Sequence, residues 1–217
     1  MKNFEAVVFD MDGVIFDSER ITLGIWKALG EKYNIPNIEE NCRKCLGVNL
    51  QKATQIMLDA YGPDFEYAKY REETSKTFHD TYDGGKLPMK TGVVELLTFL
   101  KDNNKKIALA SSTKEQTVKM QLRDAGIIDF FEVIVCGDMV EKSKPEPDIF
   151  LRACELLKVE PKNAYAIEDS YNGIRSSSSA GMMPIMVPDM AEPTAEMEKL
   201  AVEVLPSLLA VKEYFMK

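Results

Sequence analysis

Two carboxylates stand two residues apart at the end of the first apolar run of the sequence. Asp10 and Asp12 belong to the run Phe9–Val14, which comes directly after the apolar stretch Ala6–Val8, and Gly13 follows them. Charged side chains are rarely buried without a partner, so this pair indicates a site for a cation, a proton or a polar ligand. The glycine lets the chain turn sharply and bring backbone N–H groups close to a ligand. A solvated turn and a fragment of a calcium loop are the alternatives at this point.

Polar residues also follow later apolar runs. Ser111 and Ser112 end the second run, Glu168 and Asp169 end the fourth, and Lys144 stands on a proline-rich loop between them. Hydroxyls ahead of a helix can bind an anion, acids can bind a hard cation, and an ammonium can neutralise a phosphate. Taken singly, helix capping would explain the hydroxyls and the acids, and solvation the lysine. The combination favours a site that takes both a hard cation and an anion.

A sheet must position these residues, and the sequence predicts one. Six short apolar or β-rich runs are separated, from Leu96 onward, by segments with apolar residues at three-to-four spacing. This alternation indicates an α/β fold with a Rossmann-like, doubly wound parallel sheet. Ligands bind such sheets beyond the carboxyl ends of the strands, where the polar residues are found. The six runs are residues 6–8, 106–110, 132–135, 164–167, 183–187 and 202–205.

A long interruption separates the first predicted strand from the second. Residues 18–85 contain only helical patterns and enter directly after the two carboxylates. An all-helical insert at this point predicts a cap domain over the site, with 1–17 and 86–217 forming the core domain. A structural insert far from the site is the alternative. The helical patterns cover residues 21–33, 50–61 and 65–81.

Composition and charge argue against several classes of partner. The 217-residue chain has a formal net charge of −8, whereas nucleic acids and anionic membranes are bound mainly by clustered Lys and Arg. No run approaches the roughly 20 apolar residues of a membrane span. The first residues lead into the first strand without a signal peptide. We therefore expect a cytoplasmic protein, with a monomer as the default.

The four cysteines do not change that expectation. Cys42 and Cys45 form a C-x-x-C pair inside a predicted helix, a pattern that half a zinc site or a redox pair would also show. No second C-x-x-C accompanies it, and His79 is the only histidine. Reduced thiols in a cytosolic protein are the simpler interpretation.

Together, these segments resemble the haloacid dehalogenase superfamily of phosphohydrolases and phosphotransferases. The resemblance covers the whole chain, and its four motifs occur in the family's order. They are Asp10-Met11-Asp12-Gly13-Val14, Ser111, Lys144-Pro145 and Glu168-Asp169. Three further segments are similar to the branch with a helical cap after the first strand, which includes β-phosphoglucomutase and many small-metabolite phosphatases. They are Phe16-Asp17-Ser18-Glu19, Ser143-Lys144-Pro145-Glu146-Pro147 and Glu168-Asp169-Ser170-Tyr171-Asn172-Gly173-Ile174.

The resemblance implies a chemical role for each motif. Asp10 would attack phosphorus and form an aspartyl phosphate, which divides the transfer into two easier steps. Asp12 would protonate the leaving oxygen and then deprotonate the next attacker. Ser111, Ser112 and Lys144 would bind the remaining phosphoryl oxygens.

The resemblance also implies Mg²⁺ as the cofactor. The Asp10 carboxylate, the Asp12 backbone carbonyl and Asp169 would hold the ion, with Glu168 assisting through a bound water. The dehalogenases of this superfamily typically lack the second aspartate and need no metal, and the ion-pumping ATPases have threonine there. Asp12 therefore favours phosphomonoester chemistry with rapid turnover of the aspartyl phosphate.

Mutases and phosphatases of this branch differ in the acceptor of the phosphoryl group. β-Phosphoglucomutases carry Gly-Val-Ser-Arg on a cap loop and a histidine on the first cap helix, whereas this sequence has Gly47, Val48, Asn49, Leu50 and Thr22 at the matching positions. Because a mutase needs a cationic site for the non-reacting phosphate, these departures favour a hydrolase. We predict a magnesium-dependent phosphatase of a small phosphorylated metabolite. β-Phosphoglucomutase is the first alternative, and a non-catalytic binding or regulatory protein of this fold is the second.

Substrate selectivity is expected to come from the side of the cap. Asp17, Ser18, Glu19 and the loop 46–49 are the candidates, because they adjoin the motif residues in sequence or lie on the predicted cap loop. Lys76 is a further candidate as a source of positive charge, with a solvated helix face as the simpler explanation.

Overall fold

The computed structural model describes residues 2–45 and 50–217. Six parallel strands form one sheet in the order β3-β2-β1-β4-β5-β6. The chain moves outward from β1 in one direction through β2 and β3, and then in the other through β4, β5 and β6. This order confirms the predicted doubly wound α/β fold. The strands are β1 (Ala6–Phe9), β2 (Lys106–Ser111), β3 (Val133–Cys136), β4 (Ala164–Glu168), β5 (Met183–Met186) and β6 (Glu203–Val204).

Helices cover both faces of the sheet. Side chains alternate along a strand, so Val7 and Phe9 of β1 face one apolar cluster while Ala6 and Val8 face another. The first cluster is covered by α5, α6 and α10. The second contains many alanines, which let α7 approach the sheet closely. The helices outside the insert are α5 (Val93–Asp102), α6 (Glu115–Asp124), α7 (Asp148–Leu157), α8 (Tyr171–Ser179), α9 (Ala195–Leu200) and α10 (Leu208–Met216).

Of the helices described between β1 and β2, the first four share an apolar cluster of their own. Trp26 is at its centre, with ring centroids 5.9 Å from Tyr67 and 5.4 Å from Tyr70, both edge-on. The Tyr70 hydroxyl also donates to the Trp26 carbonyl at 2.5 Å. We propose this segment as the cap domain, with the bounds 18–85. Its helices are α1 (Ser18–Lys32), α2 (Ile38–Lys44), α3 (Leu50–Tyr61) and α4 (Tyr67–Tyr82).

The two chain segments that connect the insert to the sheet lie side by side. The Asp17 N–H donates to the Pro88 carbonyl at 3.0 Å, and the Lys90 N–H donates to the Ile15 carbonyl at 2.8 Å. Asp189, which follows β5, accepts from Lys90 at 2.6 Å and from Arg20 of α1 at 3.0 Å. These contacts fix the start of α1 beside the carboxyl ends of the strands. Within the described ranges, every helix is too short or too polar to cross a bilayer.

Candidate active site

The carboxyl ends of β1 and its two neighbours meet at the middle of the sheet. The register places Phe9 beside Leu109 of β2 and beside Ile167 of β4. The Asp10 N–H then donates to the Ile167 carbonyl at 2.9 Å. The polar residues that follow these strands are therefore neighbours in space, as the sequence predicts. Asp10 lies between Ser111 on one side and Glu168 and Asp169 on the other.

Lys144 is buried between two of these acids. Its Nζ donates to Asp10 Oδ1 at 2.6 Å, to Glu168 Oε1 at 2.5 Å and to the Ala110 carbonyl at 2.9 Å. Three acceptors satisfy the three N–H groups of an ammonium. Burial alone would lower the pKa of Lys144, but Asp10 and Glu168 together raise it above its ordinary value. The lysine therefore stays charged and holds one oxygen of Asp10 in place.

Asp10, Glu168 and Asp169 together fit a hard cation. One carboxylate oxygen from each lies within 4.8 Å of the others, and an all-oxygen donor set suits Mg²⁺. Burial raises the pKa of both Asp10 and Asp169 well above the usual range, because one ammonium does not compensate three buried acids. Gly13, at φ +79°, keeps the space beside Asp169 open, since a Cβ there would lie 2.2 Å from Asp169 Oδ2.

Hydroxyl groups hold both oxygens of Asp12. Ser18 Oγ donates to Oδ1 at 2.7 Å, and Thr113 Oγ1 donates to Oδ2 at 2.8 Å. The N-cap of α6 is Lys114, and its side chain makes no capping hydrogen bond, so the hydroxyls after β2 do not serve as helix caps. Thr113 was not among the predicted site residues, although it belongs to the same Ser-Ser-Thr run.

The two predicted serines after β2 have different surroundings. Ser111 is fully buried, and its Oγ accepts from the Thr113 N–H at 3.1 Å. Ser112 is exposed to the cavity beside Asp10 and Lys144. The structure therefore brings Ser112 to the cavity wall and places Ser111 behind it.

Ser170 and Gly173, at the start of α8, determine the surroundings of Glu168 and Asp169. Ser170, rather than Asp169, is the N-cap of that helix, and its Oγ accepts from the Gly173 N–H at 3.1 Å. Asp169 is thus not used in capping. A Cβ on Gly173 would lie 1.9 Å from the Glu168 carboxyl carbon, so this glycine makes room for the buried acid. The helix begins at Tyr171.

A cavity of about 750 Å³ opens in front of these residues. The core side contributes the charged and hydroxyl groups described above, and the four helices α1 to α4 contribute the opposite wall. The insert therefore lies over the site. The residues of the insert that line the cavity are Ser18, Glu19, Thr22, Leu23, Trp26, Cys42, Cys45, Leu50, Ala53, Tyr67, Arg71, Thr74, Ser75, Phe78 and His79.

Of the residues predicted to set selectivity, the structure brings Glu19 to the cavity. Burial, together with Asp12 and Asp189, raises the pKa of Glu19 to about 7. Asp17 does not line the cavity and instead lies 3.6 Å from Lys90 Nζ.

Lys76 is exposed and paired with Asp80, away from the cavity lining. Gly47, Val48 and Asn49 lie outside the described residues. Of these candidates, Glu19 lines the cavity and Lys76 does not, and the residue that selects the substrate stays a prediction.

The C-x-x-C pair lies on the cap side of the cavity. Cys42 and Cys45 are free thiols, as are Cys136 and Cys154. Burial raises the pKa of Cys42 to about 12, so its thiol is protonated at neutral pH. This environment agrees with the interpretation of reduced, unreactive thiols.

Comparisons with known proteins agree with this geometry. The family model of haloacid dehalogenase-like hydrolases matches residues 7–187. The chain is 35% identical over 182 residues to a phosphorylated carbohydrates phosphatase of Thermotoga maritima, covering 82% of both chains. It is 34% identical over 190 residues to the β-phosphoglucomutase of Bacillus subtilis, covering 84% of this chain and 83% of that one. A crystal structure of β-phosphoglucomutase from Clostridium difficile has a TM-score of 0.72 at 28% identity, covering 99% of this chain and 100% of that one.

The family match spans every motif on which the resemblance was based. It begins in β1, just ahead of Asp10, and ends at Val187, past Asp169. The sheet order, the position of the helical insert and the order of the motifs are all consistent with it. The predicted resemblance is confirmed, and the chain belongs to the haloacid dehalogenase-like hydrolase family.

Proposed function

We propose that this protein is a magnesium-dependent phosphatase that hydrolyses a small phosphorylated metabolite through an aspartyl phosphate on Asp10. The observation that carries the proposal is the pair of differently held carboxylates. Asp10 has one oxygen fixed by Lys144, whereas Asp12 has both oxygens fixed by hydroxyls. One acid is thus arranged as a nucleophile and the other as a proton carrier.

In the first step, Asp10 Oδ2 attacks phosphorus while Lys144 holds Oδ1. The bond from phosphorus to Asp10 forms as the bond to the ester oxygen breaks. Asp12 gives its proton to the leaving oxygen, which departs as an alcohol. Ser18 and Thr113 keep the Asp12 carboxyl group in one orientation, so that the proton is delivered towards the cavity.

In the second step, water attacks the phosphorus of the aspartyl phosphate. Asp12 takes a proton from this water, the bond from phosphorus to Asp10 breaks, and free phosphate leaves. Lys144 and Ser112 lie beside Asp10 in the cavity and would bind the phosphoryl oxygens in both steps.

Asp10, Asp169 and the backbone carbonyl of Asp12 would hold Mg²⁺, with Glu168 adjoining them. When bound, the ion would neutralise charge on the phosphoryl oxygens and so let an anionic ester approach an anionic nucleophile.

β-Phosphoglucomutase is the second candidate, and two cations favour it. Arg71 of α4 and Lys114 at the start of α6 line the cavity, and neither forms an ion pair with residues 2–45 or 50–217. Such cations could bind the non-reacting phosphate of a sugar bisphosphate. The non-catalytic alternative is not retained, because the family match is to hydrolases.

One experiment distinguishes the two candidates. The purified protein is incubated with Mg²⁺ and a panel of phosphate esters, and separately with β-glucose 1-phosphate and a bisphosphate primer. We expect free phosphate, and we expect EDTA to abolish its release until Mg²⁺ is restored. Conversion to glucose 6-phosphate without net phosphate release would favour the mutase, and neither product would contradict both candidates.

We also propose that the protein acts as a cytoplasmic monomer. Four free thiols support a reducing compartment, and the charge of −8 supports solubility without a partner chain. Size-exclusion chromatography with light scattering tests the monomer, and a dimer mass would contradict it.

A further inference from the structure

Asp189 follows β5 and lies where the cap joins the core. Its side chain is 1% exposed, and its Oδ1 accepts from Lys90 Nζ at 2.6 Å and from Arg20 Nη2 at 3.0 Å. Arg20 belongs to the first turn of α1, where the chain enters the cap, and Lys90 lies on the segment that returns the chain to the core. One buried carboxylate of the core therefore binds a cation from each end of the insert.

The short segment around Asp189 contacts both the cap and the acids of the site. Met190, the next residue, packs against the apolar cluster of the cap that contains Trp26. Val187, two residues earlier, donates its N–H to the Glu168 carbonyl at 2.7 Å. This segment is thus fixed to the strand end that carries Glu168, and it offers the cap both an ion pair and an apolar contact.

A second acid completes the group of charges at this junction. Asp17 Oδ1 lies 3.4 Å from Arg20 Nε and 3.6 Å from Lys90 Nζ. Each of the two acids therefore contacts both cations, and two negative charges face two positive ones. A change in Asp189, which is buried, leaves two cations with Asp17 alone.

The start of α1 depends on these contacts because its side-chain cap is missing. Asp17 is the N-cap residue of α1, but its side chain makes no capping hydrogen bond. Its N–H donates to the Pro88 carbonyl, which fixes the backbone at one point. Arg20 lies two residues after Ser18 in the same helical turn, so a shift of Arg20 also moves Ser18.

Ser18 carries this position to the reacting centre. Its Oγ donates to Asp12 Oδ1 at 2.7 Å, whereas Thr113 of the core donates to Oδ2. The Asp12 carboxyl group is thus oriented by one hydroxyl from the cap and one from the core. A displacement of about 1 Å at a site remote from the chemistry can lower a rate by about 10²-fold, because the reacting groups lose their alignment.

We propose that Asp189 is a positioning residue for the general acid: it binds Arg20 and Lys90 so that Ser18 stays on Asp12 and the leaving oxygen is protonated efficiently. This inference rests on the proposed phosphatase activity. Asp189 does not line the cavity, so it acts on the reaction only through these residues. The bonds that form and break, and the proton that moves from Asp12, are those of the first step.

The test uses two esters that differ in their need for a proton. Phenolate is a poor leaving group and requires protonation, whereas 2,4-dinitrophenolate leaves without it. The measured quantity is the ratio of kcat/KM for phenyl phosphate to kcat/KM for 2,4-dinitrophenyl phosphate. Because kcat/KM covers the reaction only up to release of the leaving group, poorer proton transfer lowers the ratio. A smaller fraction of folded enzyme does not change it.

Asp189→Asn keeps the size of the side chain and removes its charge. We expect it to lower the ratio about 10-fold or more, a part of the roughly 10²–10⁴-fold that general acid catalysis supplies. Glu196→Gln is the matched control. It makes the same carboxylate-to-amide change in an exposed ion pair with Arg175 that does not involve the cap. Its ratio should equal that of the wild type.

The cation variants test the route from Asp189 to Ser18. Arg20→Gln and Lys90→Gln each remove one partner of Asp189 and should lower the ratio. Arg20→Lys and Lys90→Arg keep the charge and should keep most of the ratio. The double variant with Arg20→Gln and Asp189→Asn should fall little below the lower of the two single variants, because both changes break the same contact.

Unchanged ratios in Asp189→Asn and Arg20→Gln would overturn the positioning role, as would an equal fall of both kcat/KM values, which a purely structural role gives. If Asp189→Asn does not fold, Arg20→Gln decides alone, since that side chain is 59% exposed. A wild-type protein that cleaves both esters, with variants of unchanged ratio, contradicts the positioning role only. A wild-type protein that releases phosphate from neither ester contradicts the proposed function and overturns the positioning role with it.

Discussion

The core and the cap meet at one cavity but are built from different interactions. On the core side, three ionisable groups are buried together: Asp10 at 7% exposure, Glu168 at 0% and Lys144 at 8%. On the cap side, the interior is aromatic and apolar, and ion pairs such as Lys32 with Glu73 lie on the surface.

This difference indicates how strongly a substitution in each region affects stability. A buried charge needs all of its partners, so a substitution in the core end leaves another charge uncompensated. The exposed ion pairs of the cap can be exchanged at small cost. We therefore expect the core end to fix the reaction and the cap to set which leaving group is accepted.

The largest expected effect is the loss of activity on replacing the nucleophile. Asp10→Asn should lower phosphate release by at least about 10³-fold, because an amide lacks the carboxylate oxygen that attacks phosphorus to form the aspartyl phosphate. Tyr67→Phe, on the cap wall, should have a far smaller effect. Both are measured as free phosphate with Mg²⁺ present. Undiminished phosphatase activity in Asp10→Asn would refute the mechanism, and an equal loss in Tyr67→Phe would remove the distinction between the two regions.

The second effect is on stability. Lys144→Met leaves Asp10 and Glu168 buried side by side without their ammonium, and should lower the free energy of unfolding by about 3–5 kcal/mol. Lys32→Met removes only an exposed pair of the cap and should leave the urea midpoint unchanged within error. Denaturant titration of both variants checks this, and similar midpoints would show that the Lys144 network contributes little.

Two glycine-to-alanine substitutions are expected to change the stability of the protein in opposite directions. Gly173→Ala places a Cβ against the Glu168 carboxylate and should destabilise the protein by about 1–3 kcal/mol. Gly24→Ala lies on the exposed side of α1 with no atom within 4 Å of the new Cβ, and should stabilise the protein by about 0.5–1 kcal/mol. Thermal unfolding measures both. A stabilising Gly173→Ala would show that Glu168 is not held where the structure places it.

The smallest effect concerns the buried thiols. Burial raises the pKa of Cys42 in the cap to about 12 and that of Cys154 in the core to about 11. At pH 8 both are protonated, so iodoacetamide should modify each at least about 10²-fold more slowly than free cysteine, and both rates should rise with pH. Mass spectrometry after timed labelling measures them. Rapid labelling of Cys42 alone would show that the cap opens while the core stays closed.

Much of the core could be predicted from the sequence. The strands are short apolar runs, and the carboxyl ends of parallel strands share one edge of a sheet, so Asp10, Lys144 and Asp169 could be placed together without any coordinates. The hydroxyls that hold Asp12 could not be assigned in this way. Whether Thr113 caps a helix or reaches a carboxylate depends on side-chain direction, which residue spacing does not determine.

The cap was less predictable for a physical reason. Helix α4 is polar over most of its length, so its apolar stripe does not show which face meets the cavity. Lys76 and His79 lie three residues apart, yet His79 lines the cavity and Lys76 does not.

The position of Trp26 has a practical consequence. It is the only tryptophan of the chain and lies in the cluster of the cap, against Tyr67 and Tyr70. Indole fluorescence therefore reports on the cap alone, while far-ultraviolet circular dichroism reports on the whole chain. Urea curves from the two signals coincide if cap and core unfold together and separate if the cap unfolds first. The protein thus contains its own optical label for the region that we expect to choose the substrate.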